Sequence, residues 1–172
     1  MRDKAKSAVL MGMCVALAMI FSYVEVLLPP LVAAVPGVKL GLANVVILFV
    51  LYRYGVARAA LVSAVRVFLS FLLFGSFLSL AYSAAGAVFS IAVMVLLKRM
   101  KLFSEMAVSA MGGIAHNVGQ ILMAIALLGV AEIGYYLIVL AVTGCVFGTV
   151  IGLLGAVAER RVPRLPFERN LP

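Results

Sequence analysis

The stretch GGIAHNVGQILMA, residues 112–124, places three polar side chains inside an apolar run. His116 and Gln120 are four residues apart, so they share one face of a helix, and Asn117 lies beside them. Imidazole and amide groups are costly in an apolar medium unless they are hydrogen-bonded. They can therefore bind a ligand directionally, or bridge neighbouring helices, and both interpretations stay open from the residues alone.

The composition identifies the medium in which these groups lie. Of the 172 residues, 66% are hydrophobic and only 12% are charged, and the mean hydropathy is +1.26. Soluble domains are about 25% charged, so this chain is too apolar for a water-facing surface. We therefore predict an all-α integral membrane protein. The net charge is +8, and most of the basic residues flank the apolar runs, as is usual in membrane proteins. We therefore expect no nucleic-acid partner.

The apolar runs predict one transmembrane domain over residues 1–172, because a bilayer core needs about 20 apolar residues per helix. Both chain ends are predicted to be cytoplasmic, since every basic residue except Lys39 and Arg66 flanks alternate connections. The predicted bundle has six spans, at about 7–28, 40–54, 56–75, 78–97, 105–128 and 134–157.

With that orientation, polar groups from five helices fall at mid-membrane or in the outer half. Arg66 lies near the middle of its helix, where an arginine costs about 2.5–3.5 kcal/mol and needs a partner. We expect a ligand pocket that opens outward and prefers a small anionic or amphipathic molecule, although Arg66 could instead pair with Glu25. The candidate ligand-binding residues are Asn44, Arg66, Tyr82, His116, Asn117 and Gln120, with Glu25 and Lys39 as charge partners.

Two further features bear on packing and access. Ala8, Gly12 and Ala16 form a stripe of small residues, which suits either internal packing or docking of another membrane subunit. The apolar, proline-containing loop at 29–39 is either a lid over the pocket or a simple connection. The glycines of helix 6 are expected to pack within the bundle; they are Gly144, Gly148, Gly152 and Gly155.

Catalysis by this chain alone is not expected. Its six acidic residues are scattered, whereas diphosphate chemistry usually needs grouped carboxylates to hold Mg²⁺. A lone histidine without nearby carboxylates or thiolates predicts no metal site, and no cofactor is expected. The Walker A pattern of P-loop ATPases is absent from the sequence.

Four segments resemble the Gx transporter family, which is also labelled heptaprenyl diphosphate synthase component I. They are PGVKLGLANVVILFVLYRYG (36–55), VRVFLSFLLFGS (65–76), FLSLAYSAAGAVFS (77–90) and GGIAHNVGQ (112–120). That family is similar to the S-components of energy-coupling-factor importers. The resemblance implies a prokaryotic cytoplasmic-membrane protein that captures a small molecule from outside.

The same resemblance implies partners. The stripe on helix 1 would dock on a transmembrane coupling subunit that is bound to two ATPases, and the 29–39 loop would be a gate. If the synthase label reflects the biology, the chain is a non-catalytic membrane subunit of a prenyl diphosphate synthase instead. A scaffold protein without any small-molecule ligand is a third hypothesis.

Overall fold

The structure is a computed structural model that describes residues 2–28, 39 and 41–162. In these residues the chain forms six α-helices and one 3-10 helix, without strands, which confirms the all-helical prediction. The elements are α1 (Arg2–Leu27), α2 (Asn44–Tyr54), α3 (Val56–Phe74), α4 (Phe77–Met100), α5 (Glu105–Leu128), the 3-10 helix Ala131–Tyr136 and α6 (Leu137–Arg161).

Long apolar helices make this a multi-pass membrane protein. Five helical segments are long and apolar enough to cross a bilayer, namely Ala5–Leu27, Val56–Phe74, Phe77–Met100, Glu105–Leu128 and Ala131–Arg161. Their outward faces carry large apolar side chains such as Leu73 and Ile138, which are 70% and 75% exposed. Such a surface is suited to lipid rather than to water.

The predicted second span differs from the others because α2 has only 11 residues. At 1.5 Å per residue it is about 16 Å long, roughly half the thickness of a bilayer core. Its apolar side chains are buried or half-buried on all sides, as expected for a helix that is hydrophobic all round. The sixth crossing therefore stays a prediction, and α2 is a half-length helix inside the bundle.

The helices enclose α2 on three sides. Around the bundle, α1 packs against α3, α3 against α4, α4 against α5, α5 against α6, and α6 against α2. Helix α2 also contacts α1 and α3. It contributes more residues to the main apolar core than any other helix, and the remaining core residues come from α1, α3, α4 and α5 and from Ala43 just before α2.

Glycines allow the closest helix pair, α5 and α6, to pack backbone to backbone. A Cβ at Gly144 would lie 2.8 Å from the carbonyl oxygen of Gly113, and one at Gly148 would lie 2.7 Å from that of Ser109. A similar approach to α5 occurs at Gly152, whereas Gly155 faces the Leu48 side chain of α2. The expectation that the helix 6 glycines pack within the bundle is confirmed.

Basic side chains meet at one end of the bundle. Lys98 Nζ at the end of α4 donates to the carbonyl oxygen of Leu51 at 2.6 Å, and Arg53 Nη1 donates to that of Val162 at 2.6 Å. The ends of α2, α4 and α6 are thereby joined. The buried polar residues described next lie near the opposite end of α2, where that helix begins.

Candidate functional site

The approach to α2 is non-helical backbone that side chains from two other helices hold in place. The N–H of Lys39 donates to Gln120 Oε1 of α5 at 3.2 Å. The N–H of Leu42 donates to Glu25 Oε1 of α1 at 2.7 Å. Non-helical backbone at membrane depth is tolerated where protein buries it and satisfies its polar groups. Glu25 and Gln120 supply those partners.

His116 and Gln120 form a hydrogen-bonded pair on α5, as their spacing predicts. Their Nε2 atoms are 2.9 Å apart, and both side chains are buried. Because Gln120 Oε1 already accepts from the backbone, its amide nitrogen is the donor and His116 Nε2 is the acceptor. In the neutral ring the proton then lies on Nδ1, which has no hydrogen-bond partner among the described residues.

Two glycines make room for the His116 ring. A Cβ at Gly86 of α4 would lie 2.8 Å from His116 Nδ1, and one at Gly41 would lie 3.3 Å from His116 Cδ2. Gly41 also has a φ of +83°, a conformation that other residues rarely adopt. The ring is therefore sandwiched between α4 and the turn that leads into α2.

Arg66 of α3 is 1% exposed and largely without protein partners. Within the described part of the chain its one hydrogen bond, from Nη1 to Ser22 Oγ of α1, is long at 3.5 Å. Its Nε and Nη2 atoms have no partner among the described residues. A buried guanidinium with two free donors is costly unless another group binds it.

The charged groups lie close enough to interact electrostatically, since Glu25, Lys39 and Arg66 each influence the others. Burial lowers the pKa of Lys39, which precedes α2, and the nearby Glu25 carboxylate opposes that shift. We call Glu25, Lys39, Arg66, His116 and Gln120 the polar cluster. It contains two cationic residues, one acidic residue and a hydrogen-bonded pair.

Three other predicted site residues are buried but have different neighbours. Asn117 Nδ2 donates to the carbonyl oxygen of Leu140 at 2.5 Å, which ties α5 to α6. Tyr82 packs in an apolar group with Ile121 and Leu140. The ligand-binding role of both residues stays a prediction.

Asn44 is the first residue of α2 and adjoins the polar cluster through Gly41. A Cβ at Gly41 would lie 3.0 Å from Asn44 Nδ2. On its other side Asn44 faces Ser90 of α4 and Ser109 of α5 across a gap that has no room for a water molecule.

Sequence reasoning missed Ser22, Gly41 and Gly86, and it left Ser83 out of the candidate ligand-binding residues. Ser22 precedes Glu25 by three residues, so helical spacing places both on one face of α1. Gly41 is in the KLGLAN segment, where a glycine before a helix indicates a turn. Ser83 is buried and its Oγ has no partner among the described residues. Nothing in the sequence identifies Gly86 as a neighbour of His116.

The small-residue stripe of α1 lies on the outside of the bundle. Ala8, Gly12 and Ala16 are all exposed, and a Cβ at Gly12 would meet no atom within 4 Å. Internal packing therefore does not explain the stripe in the described part of the chain. The predicted lid at 29–39 lies outside the described residues, apart from Lys39.

Within the residues that the structure describes, no group of three or more His, Cys, Asp or Glu side chains could hold a metal ion. The arrangement can bind and orient a polar molecule, because it presents buried donors and one buried acceptor.

The comparisons with known proteins place the chain in a family. No curated protein and no solved structure matches it. The family model for heptaprenyl diphosphate synthase component I matches residues 14–158, which covers the second half of α1, all of α2 to α5 and nearly all of α6. The four quoted segments lie inside that match, so the predicted resemblance is confirmed. The chain belongs to the heptaprenyl diphosphate synthase component I family.

Proposed function

We propose that this chain is the substrate-binding membrane subunit of a small-molecule importer of the S-component type. One observation carries the proposal: the buried half-length helix α2 begins beside a polar cluster in which Arg66 lacks a strong partner. Interrupted or half-length helices that begin inside the bundle are a recurrent feature of transporter binding sites.

The physical reason is the electrostatics of a helix start. The N-terminus of a helix carries a partial positive charge, which favours a nearby anion. The N–H groups of Asn44 and Val45 bond to the preceding turn, and Glu25 accepts from the N–H of Leu42 in that turn. The groups left to bind an anion are therefore the cationic side chains of Arg66 and Lys39. A small molecule with an anionic group is attracted to such a site.

Each residue of the polar cluster then has a role. Arg66 binds the anionic group, and His116 donates a hydrogen bond through Nδ1. Gln120 holds His116 and the Lys39 backbone in place. Asn44, Tyr82 and Asn117 complete the site by shaping its walls.

The remaining features of the proposal concern partners and orientation. The exposed stripe of Ala8, Gly12 and Ala16 docks on a transmembrane coupling subunit that is bound to ATPases. Six crossings, with both chain ends in the cytoplasm, place the basic end of the bundle inside and α2's start toward the outside. The protein lies in the cytoplasmic membrane of a prokaryotic cell.

The role of Arg66 is tested by Arg66→Ala. We expect this variant to fold but to retain no small molecule after purification, whereas the wild type retains one. Arg99→Ala is the control, because Arg99 is an exposed arginine at the other end of the bundle. Equal retention by Arg66→Ala and the wild type would make Arg66 structural.

A second candidate function is that of a non-catalytic membrane subunit of a prenyl diphosphate synthase. The family description favours it, and so does an apolar groove of about 600 Å³ between α3 and α4. Ala60, Ala64 and Ala84 leave room there for a linear apolar chain such as a polyprenyl group. This function requires a soluble synthase partner and a bound polyprenyl species.

A further inference from the structure

The unpartnered atoms of the polar cluster are of two opposite kinds. Arg66 Nε and Nη2 are donors, whereas Glu25 Oε2 is an acceptor. All three atoms are buried and have no hydrogen-bond partner among the described residues. A ligand that satisfies the whole cluster must therefore accept at one point and donate at another.

The free atoms of Arg66 define the accepting group of the ligand. Nε and Nη2 lie along one edge of the planar guanidinium and present two parallel N–H donors. That edge matches the two oxygens of a carboxylate, which it binds in a bidentate manner. The remaining nitrogen, Nη1, is the one that reaches Ser22.

Glu25 does not occupy that edge of Arg66. Its Oε1 accepts from the N–H of Leu42 at 2.7 Å, which fixes the carboxylate at the start of α2. The charges of Glu25 and Arg66 interact, but the free atoms of each are not bonded to the other. A buried carboxylate oxygen needs a donor, and a purely anionic ligand would leave Glu25 Oε2 unpaired and be repelled by it.

We infer that the ligand is amphoteric, with a carboxylate bound to the Nε–Nη2 edge of Arg66 and an amine bound to Glu25 Oε2. The inference rests on the proposed function, because it names the class of molecule that the same site takes. It refines the small anionic ligand that charge alone suggested.

The test uses the whole protein in lipid nanodiscs and a soluble-metabolite extract of bacterial cells. One aliquot of the extract is untreated, one has its amines acetylated, and one has its carboxylates converted to methyl esters. The melting temperature is measured with each. We expect the untreated aliquot to raise it by about 2–4 °C, and neither blocked aliquot to change it.

Each of the other outcomes contradicts either the amine contact, the carboxylate contact or the proposed function. A shift that survives acetylation means that no amine is bound, which refutes the inference and leaves the proposed function standing. A shift that survives esterification refutes the carboxylate and indicates a phosphate or an uncharged ligand. No shift with the untreated extract contradicts both the inference and the proposed function.

Two variants assign the contacts to residues. Glu25→Gln keeps an oxygen for the N–H of Leu42 but loses the charge. Its melting temperature should therefore change by the same amount with the untreated and the acetylated aliquots. Arg66→Lys keeps a charge but loses the two-donor edge, so its shift should vanish. A Glu25→Gln protein that still prefers the untreated aliquot would refute the inference.

Matched controls come from exposed residues of the same type. Glu132→Gln and Arg99→Lys change the same groups outside the polar cluster. Both should respond to the three aliquots as the wild type does. A loss of response in Glu132→Gln would mean that the effect comes from net charge, and a loss in Arg99→Lys would mean that any arginine replacement removes it; either result would refute the inference.

Discussion

Gln120 uses both ends of its amide, and no other residue of the polar cluster joins so many parts of the fold. Its oxygen accepts from the Lys39 backbone and its nitrogen donates to His116. Removing the amide leaves a buried N–H and a buried ring nitrogen without partners. A buried group that loses its partner costs about 1–3 kcal/mol.

We therefore predict that Gln120→Leu lowers the free energy of unfolding by about 2 kcal/mol or more, because two partners are lost. Thermal unfolding in detergent measures this loss. Thr149→Val is the control, since Thr149 is exposed and its hydroxyl bonds only within its own helix, to Cys145. If both variants unfold at the same temperature, the amide does not hold the turn before α2.

Gly41 and Gly55 provide a matched pair for the site, because both have positive φ values, +83° and +91°. Alanine at either position should cost about 1–2 kcal/mol of backbone strain. Only the Cβ at Gly41 would also press against Asn44 and His116, whereas that at Gly55 meets no atom within 4 Å.

We predict that Gly41→Ala weakens ligand retention and Gly55→Ala does not, although the backbone strain lowers the stability of both. Mass spectrometry of the purified variants measures retention, and thermal unfolding measures stability. If both variants retain the ligand equally, Gly41 does not contribute to ligand binding.

At this scale the sequence predicts which polar residues are buried, because each lies inside an apolar run. The His116–Gln120 pair follows from helical spacing. The partners of Asn117 and Glu25 do not follow, since Leu140 and Leu42 contribute backbone atoms and any residue could stand there. Such contacts depend on the relative rotation of helices, which the local pattern does not determine.

Among the helices, α2 differs most from the span that the hydropathy pattern predicts. Hydropathy predicts a span at 40–54, but the helix begins at Asn44 and is buried or half-buried on all sides. A buried helix and a lipid-crossing helix have the same apolar composition, so only length separates them. The glycine before Asn44, at Gly41, is the local signal for the later start.

The α5–α6 contact gives a prediction for packing. Gly144→Ala should destabilise the protein by about 1–3 kcal/mol, because its Cβ meets the backbone of Gly113 and the helices must separate. Gly12→Ala has open space around its Cβ and should be neutral or slightly stabilising. Thermal unfolding compares the two; equal melting temperatures would contradict the close contact between α5 and α6.

For the whole molecule, the basic end defines an orientation. Lys98, Arg99 and Arg160 lie at that end, and the positive-inside rule places it in the cytoplasm. We predict that green fluorescent protein fused to the C-terminus is fluorescent, and that alkaline phosphatase fused there is inactive. The opposite pair of results would mean that the bundle has the reverse orientation, with the start of α2 toward the cytoplasm.

The most direct test of the central claim is mass spectrometry of this protein, tagged and purified from native membranes in mild detergent. It identifies co-purifying subunits and retained small molecules in one experiment. The proposed function predicts a transmembrane coupling subunit with ATPases and a compact metabolite that Arg66→Ala fails to retain. A prenyl diphosphate synthase with polyprenyl species, and no compact metabolite, would contradict it and make the chain a biosynthetic subunit.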